Sequence, residues 1–170
     1  MEMKKSLLCV AVLFALVFGI SCTQERRYGI LDYQENDITA NCTVNGKYDV
    51  TIVSKKDFQS LSVLSPKELC GVCFEYNGNE CYAVSGDIRI PFEKEKLKGI
   101  FALIGIFDLD EQCVKTVRSE GGDGTLSFEN SLGTYIMTFD GNGMPERAKI
   151  ESPNYTFDVT INSLNIEKRN

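Results

Sequence analysis

From Asp37 onward the chain alternates between apolar and polar positions. Ile38, Ala40, Cys42 and Val44 are separated by Thr39, Asn41 and Thr43, and Tyr48, Val50 and Ile52 by Asp49 and Thr51. A period of two puts one set of side chains on each face of a β-strand. Asn45-Gly46 between the two runs predicts a tight hairpin, because the favoured turn needs positive φ at both central residues. Lys55-Lys56-Asp57 leads into a third run over 58–64, and Val72, Phe74 and Tyr76 begin a fourth. Ser65-Pro66-Lys67-Glu68-Leu69 reads as a single helical turn opened by Ser and Pro. Asn77-Gly78 turns the chain into Cys81–Ser85. The pattern resumes with a weaker run over 113–118. Leu126 and Phe128 follow, then Tyr135, Met137 and Phe139, then 145–151, and last Tyr155, Phe157, Val159 and Ile161. About ten strands alternate in this way, which implies one buried face and one wet face.

Residues 92–110, FEKEKLKGIFALIGIFDLD, break the alternation. Leu97, Ile100, Phe101, Ile104 and Phe107 recur at helical spacing, and Leu103 and Ile106 fill the gaps. Pro91 suits a first helical position, and Glu93 and Glu95 suit the positive end of a helix dipole. A helix apolar on every side must be buried. Its apolar part, 97–107, is too short to span a bilayer. It therefore needs a hydrophobic cradle, and the strands on either side of it are the available material. Asp108, Asp110 and Glu111 read as the solvated end of this helix.

The first residues follow a different logic. Lys4 and Lys5 precede an apolar run over 6–20, and small residues lead to Cys22. That is the layout of a secretory signal, with residues 1–21 removed on export. Phe18-Gly19-Ile20-Ser21-Cys22 resembles a bacterial lipobox, with Gly19 where Leu is usual. Acylation of Cys22 would anchor the chain, since each buried methylene adds about 0.8 kcal/mol. Residues 22–35 then form a tether, with a helical turn near 28–33, and residues 36–170 form one domain. The expected location is the extracytoplasmic face of a bacterial cell membrane, with plain secretion as the alternative.

Charge and composition mainly exclude. The chain has 170 residues, a formal net charge of −6 and no histidine. An acidic chain without a basic run is a poor partner for nucleic acid. Lack of histidine removes most hydrolase triads and the commonest zinc sites. Neither enzymatic activity nor a cofactor or metal is expected. Asp140, Asn142 and Glu151 offer oxygens, but Met144 and Pro145 interrupt the pattern of a calcium loop, and a hairpin turn is the expectation.

Of seven cysteines, Cys42, Cys70, Cys73, Cys81 and Cys113 remain after Cys9 and Cys22 are set aside. An odd number leaves at least one free thiol, and sequence leaves the pairing open. Cys70-Gly71-Val72-Cys73 is a C-x-x-C, but a strand follows it rather than a helix, and no second C-x-x-C completes a zinc ribbon. These cysteines are expected to act as small apolar residues. Cys73 and Cys81 would face each other only across a hairpin loop with an odd number of residues.

Three stretches carry a resemblance: Tyr33-Gln34 with Asp37-Ile38-Thr39-Ala40; Leu64-Ser65-Pro66-Lys67-Glu68-Leu69-Cys70-Gly71-Val72-Cys73-Phe74; and Tyr135-Ile136-Met137-Thr138-Phe139-Asp140-Gly141-Asn142-Gly143-Met144-Pro145. With the order of strands, turns and helix, they make residues 31–161 resemble the LolA-like superfamily of outer-membrane lipoprotein carriers and lipid-binding proteins. More closely, the layout resembles uncharacterised lipoproteins of Gram-positive gut bacteria. The resemblance implies an α+β fold, a curved antiparallel sheet or half-barrel wrapped around a central apolar helix. It also implies an apolar cavity for acyl chains. The implied function is binding of an acyl chain or lipid between sheet and helix, by Phe74, Tyr76, Phe101, Ile104, Tyr135, Met137, Phe139 and Phe157. The alternative is a structural or protein-interaction lipoprotein whose core is filled, with its protein partner unknown.

Overall fold

The computed structural model describes residues 36–108, 114–120 and 123–169. The expected signal peptide, Cys22, the tether with its turn near 28–33, Asp110, Glu111 and Cys113 lie outside them.

Eleven strands form one antiparallel sheet. The first meander is β1 (Asn36–Val44), β2 (Tyr48–Lys55), β3 (Phe58–Ser65), β4 (Val72–Tyr76), β5 (Cys81–Ser85) and β6 (Ile88–Phe92). The second is β7 (Val114–Glu120), β8 (Asp123–Asn130), β9 (Gly133–Phe139), β10 (Pro145–Ser152) and β11 (Tyr155–Lys168). The order across the sheet is β6-β5-β4-β3-β2-β1-β11-β10-β9-β8-β7. The first described strand, β1, thus lies mid-sheet, and the chain works outward from it to β6. It then crosses to the far edge at β7 and works back until β11 pairs with β1.

The crossing is a helical stretch: a 3-10 turn (Lys94–Leu97), the α-helix α1 (Lys98–Ile104) and a second 3-10 turn (Gly105–Phe107). It is shorter than the helix expected over 92–110. Phe92 belongs to β6, and Glu93 before the first turn is extended. The reason is the turn at Gly86-Asp87, which returns the chain so that Ile88, Ile90 and Phe92 alternate with Arg89 and Pro91. Pro91 is tolerated because β6 is an edge strand and needs no donor on its outer side. Strand β6 is the one element absent from the sequence reading. Residues 66–71 form successive turns, Leu69 N–H donating to the Pro66 carbonyl and Cys70 N–H to that of Lys67, without making a helix.

The sheet must curl around α1. Phe101 touches Phe92 of β6, with ring centroids 6.0 Å apart. One turn later, a Cβ at Gly105 would lie 4.0 Å from the Tyr135 hydroxyl on β9. Those strands are eight places apart, about 38 Å on a flat sheet with ~4.8 Å spacing. A helix is only ~10–12 Å thick. Phe101, Ala102, Leu103, Ile104, Ile106 and Phe107 are buried in the resulting core.

A bulge in β11 sustains this core. Asn41 faces Ser163 while Cys42 faces Ile161, so Asn162 is an extra residue. The core-facing set therefore steps from Val159 and Ile161 to Leu164 and Ile166, opposite Ala40 and Ile38. A bulge shifts a strand's phase without breaking its pairing. On the wet face Thr51 donates to Asn41 (2.8 Å), Asn41 to Ser163 (2.9 Å) and Asn162 to Thr43 (2.9 Å). The Asn45-Gly46 hairpin forms as expected, with φ of 52° and 62°. Asn45 earns its place over glycine by binding β11: its side-chain oxygen accepts the Asp158 N–H (2.8 Å).

Cys42, Cys70, Cys73 and Cys81 are free thiols. Cys73 faces Val84 and Cys81 faces Tyr76, so the two do not meet across the hairpin.

Candidate functional site

An apolar cleft of about 290 Å³ lies between α1 and the first meander. Val44 and Asn45 form one wall with Tyr48 and Val50. Leu61 and Val63 of β3, Leu69 of the following turn, and Val72 and Phe74 of β4 continue it. Ile100 and Leu103 project from α1, and Phe157 closes the side toward β11. The strand period places Val44, Val50, Leu61 and Val63 on the core face. The helical period places Ile100 and Leu103 one turn apart toward them. Lys47 stands over the Tyr48 ring at 5.1 Å, with the cation beside the apolar wall. Exposed Leu64 and Leu69 stand at the same end of the sheet.

The eight residues named from the sequence separate into three groups. Phe74 and Phe157 line the cleft. Phe101, Ile104, Tyr135, Met137 and Phe139 are at most 2% exposed and form packed core. Tyr76 lies at the edge of the helix, edge-on to Phe101 at 5.8 Å, with the Lys94 ammonium 4.8 Å from its ring centroid. Its hydroxyl donates to the Gly78 carbonyl (2.7 Å). Tyr76 borders two further grooves, of about 320 and 420 Å³. Larger than the cleft, these are bordered by charge: Lys55, Lys56, Asp57, Asp108 and Arg169 in one, Glu80, Glu93, Lys94 and Glu95 in the other. Apolar surface, the feature that binds an apolar ligand, is concentrated in the smaller cleft.

Val44, Tyr48, Val50, Leu61, Val63, Leu69, Val72, Ile100 and Leu103 were not singled out from the sequence. The signal that marks Val44, Val50, Val63 and Val72 among them is small side-chain volume. Core positions of β1 and β2 carry Ile38, Ala40, Cys42, Val44, Val50 and Ile52, whereas those of β8 and β9 carry Leu126, Phe128, Tyr135, Met137 and Phe139. Small side chains on one part of a closed face leave space beneath the helix.

The titratable groups near the core give no nucleophile. Burial pushes the Cys42 thiol up to about 12, so it stays protonated. Burial is also the main reason the Cys81 thiol is raised, partly offset by Lys94. Burial holds the Tyr135 phenol above its ordinary range. Its hydroxyl is buried and meets hydrogen-bond geometry with none of the described residues, though the nearby Asn130 side chain offsets part of the rise, and its ring stacks on Phe128 at 4.4 Å. In the β9–β10 turn, Asp140 accepts the N–H groups of Asn142 and Met144, both at 2.8 Å. The Met144 hydrogen bond leads in holding this carboxyl below its ordinary value. No cluster of three metal-ligating side chains occurs among the described residues.

No family model matches the chain, and no curated protein matches it. Solved structures with a similar course do. One is a LolA superfamily protein from Nitrosomonas europaea, 9% identical, with a TM-score of 0.38, covering 83% of this chain and 92% of that one. Another is an uncharacterized conserved protein from Thermus thermophilus, 10% identical, with a TM-score of 0.48, covering 83% and 87%. A third comes from the complex of the CwlD amidase with the GerS lipoprotein of Clostridioides difficile, 18% identical, with a TM-score of 0.41, covering 71% and 80%. Each is a likeness in the course of the chain alone.

Proposed function

We propose that the chain is an exported bacterial lipoprotein that holds an apolar ligand, an acyl chain or lipid, between its sheet and α1. It acts by binding, without catalysis. The observation that carries this reading is the apolar cleft. Its volume of about 290 Å³ lies just below the ~300–1,000 Å³ of small-molecule sites. Phe74 and Phe157 contact the ligand, Tyr76 stands at the rim, and Phe101, Ile104, Tyr135, Met137 and Phe139 form the rigid packing behind. Residues 1–21 direct export, Cys22 carries the lipid and residues 22–35 link it to the domain.

The alternative, a filled structural or interaction lipoprotein, draws its support from the second meander, where core positions are occupied by large side chains. Protein purified from its native envelope, extracted with organic solvent and analysed by mass spectrometry, separates the two. Stoichiometric acyl chain or lipid, beyond the anchor on the protein itself, is the expected result. An extract empty of apolar molecules would leave the filled-core reading standing. Intact-mass measurement of the same sample gives the diacyl increment expected at Cys22, and Cys22→Ser abolishes it.

A further inference from the structure

We infer that Phe157 is the specificity-determining residue of the cleft, setting how long an acyl chain can enter it. The inference rests on the proposed function and goes further, by assigning ligand length to one side chain.

Phe157 alone among the lining residues comes from the second meander; the others belong to β1–β4, the turn after β3, or α1. Its cross-strand neighbour on the other side is Ile150, which in turn pairs with Tyr135. Both are fully buried. The Phe157 ring therefore stands between the open and the filled parts of the interior. Elsewhere the lining is made by residues of β1–β4, of the turn after β3 and of α1, and toward the second meander it is made by this one ring.

The seat of that ring is specific. Residue 99 of α1 is glycine, and a Cβ there would lie 3.3 Å from Phe157 Cζ and 3.4 Å from Cε2. The ring therefore lies against the helix backbone, in space that any other residue at 99 would contest. On its second side it stacks on Tyr155, at 5.4 Å between centroids and 27° between planes. Tyr155 is tied down, its hydroxyl donating to the Leu132 carbonyl. Phe157 has no polar group to fix it and is only half-buried. Tyr155 is held by a hydrogen bond and Phe157 by packing alone, so a shorter side chain at 157 moves the end wall without breaking a polar contact.

Shortening this side chain lengthens the cleft toward β10. Each methylene that the ring had kept out then adds about fourfold to the affinity of a longer ligand, the factor given by ~0.8 kcal/mol per buried methylene. Ligands too short to reach the ring gain nothing. The readout is therefore the ratio of affinities for long and short chains, which a general loss of stability would not shift.

The experiment uses the full chain. Short, medium and long saturated fatty acids compete with anilinonaphthalene sulfonate, a fluorescent apolar probe, for wild type, Phe157→Leu and Phe157→Ala. The expected result is a long-to-short ratio that rises from wild type to Leu to Ala. Circular dichroism verifies folding, and Phe157→Leu keeps the test in hand should Phe157→Ala unfold. Folded variants with the wild-type ratio would overturn the role of Phe157 and leave the proposed function intact. Wild type that binds neither the probe nor any fatty acid would overturn the proposed function and this inference with it.

Discussion

The two meanders are built from the same alternation and end in different states. On the core face of β8–β10, Leu126, Phe128, Tyr135, Met137, Phe139 and Ile150 fill the space under the helix. On that of β1–β3, Ile38, Ile52 and Leu61 are large and buried too, but Val44, Val50 and Val63 are small and the cleft lies over them. Burial and occupancy are thus separate properties. Burial follows from strand phase, which a period of two sets. Occupancy follows from summed side-chain volume against a helix of fixed thickness. One sheet can in this way be scaffold at one end and container at the other.

The largest expected effect tests what both meanders share. Ile104 is fully buried on α1. Ile104→Asp places a charge there at a cost of several kcal/mol, a large part of the ~5–15 kcal/mol that holds a domain together. The variant should unfold or aggregate, and a melting curve like that of wild type would remove the packed-helix model.

A matched pair sharpens the contrast. Leu126→Ala and Leu61→Ala make the same chemical change at positions 1% and 2% exposed, the first in the filled half and the second on the cleft wall. Leucine truncation costs about 2–5 kcal/mol, more where a sealed cavity results. Leu126→Ala should fall near the top of that range and Leu61→Ala near the bottom, by urea titration. Equal losses would mean that the cleft behaves as packed interior.

The smallest effect concerns the buried hydroxyl of the filled half. Tyr135→Phe removes a polar group with no hydrogen-bond partner among the described residues. It should leave stability unchanged or raise it by ~1 kcal/mol. The sign of its pH dependence follows from the raised phenol. Its stabilising contribution is full below the unfolded value of 10.0, and declines as pH rises past that toward the folded value. Tyr135→Phe should therefore flatten the loss of stability above pH 10, measured by thermal melts across the alkaline range.

Much of this fold was legible because its signals are local. The Asn45-Gly46 turn needs two positive φ values, and only a few residues supply them. Strand phase was visible wherever alternation ran unbroken. It was lost at Asn162, where a bulge moves the core face from Ile161 to Leu164 and only pairing with β1 shows it. It was also lost at Ile88–Phe92, where Pro91 and the following charges imitate a helix start. The candidate site was less legible. Large side chains drew attention as cavity walls, yet Tyr135, Met137 and Phe139 close space rather than line it. The cleft depends on what is missing from Val44, Val50 and Val63, a property of many side chains together.

Strand β6 has a consequence for the protein in concentrated solution. It is an edge strand, with Ile88 and Ile90 exposed, so it would serve as a template on which further copies could add strand by strand. In a two-residue hairpin the flanking pair, Ser85 and Ile88, exchanges hydrogen bonds, and the rungs then alternate. Arg89 and Pro91 thereby turn their backbones outward. Pro91 has no N–H to offer an incoming chain. Arg89 brings a charge, held by Glu75 at 3.1 Å and laid over the Tyr82 ring at 3.9 Å. The guanidinium thus lies back across β5 and β4, and the defect that the outer rim of β6 offers an incoming strand is the missing donor at Pro91. Proline at this position works against fibre growth, a protection the chain needs because its hydrophobic face runs out to that edge.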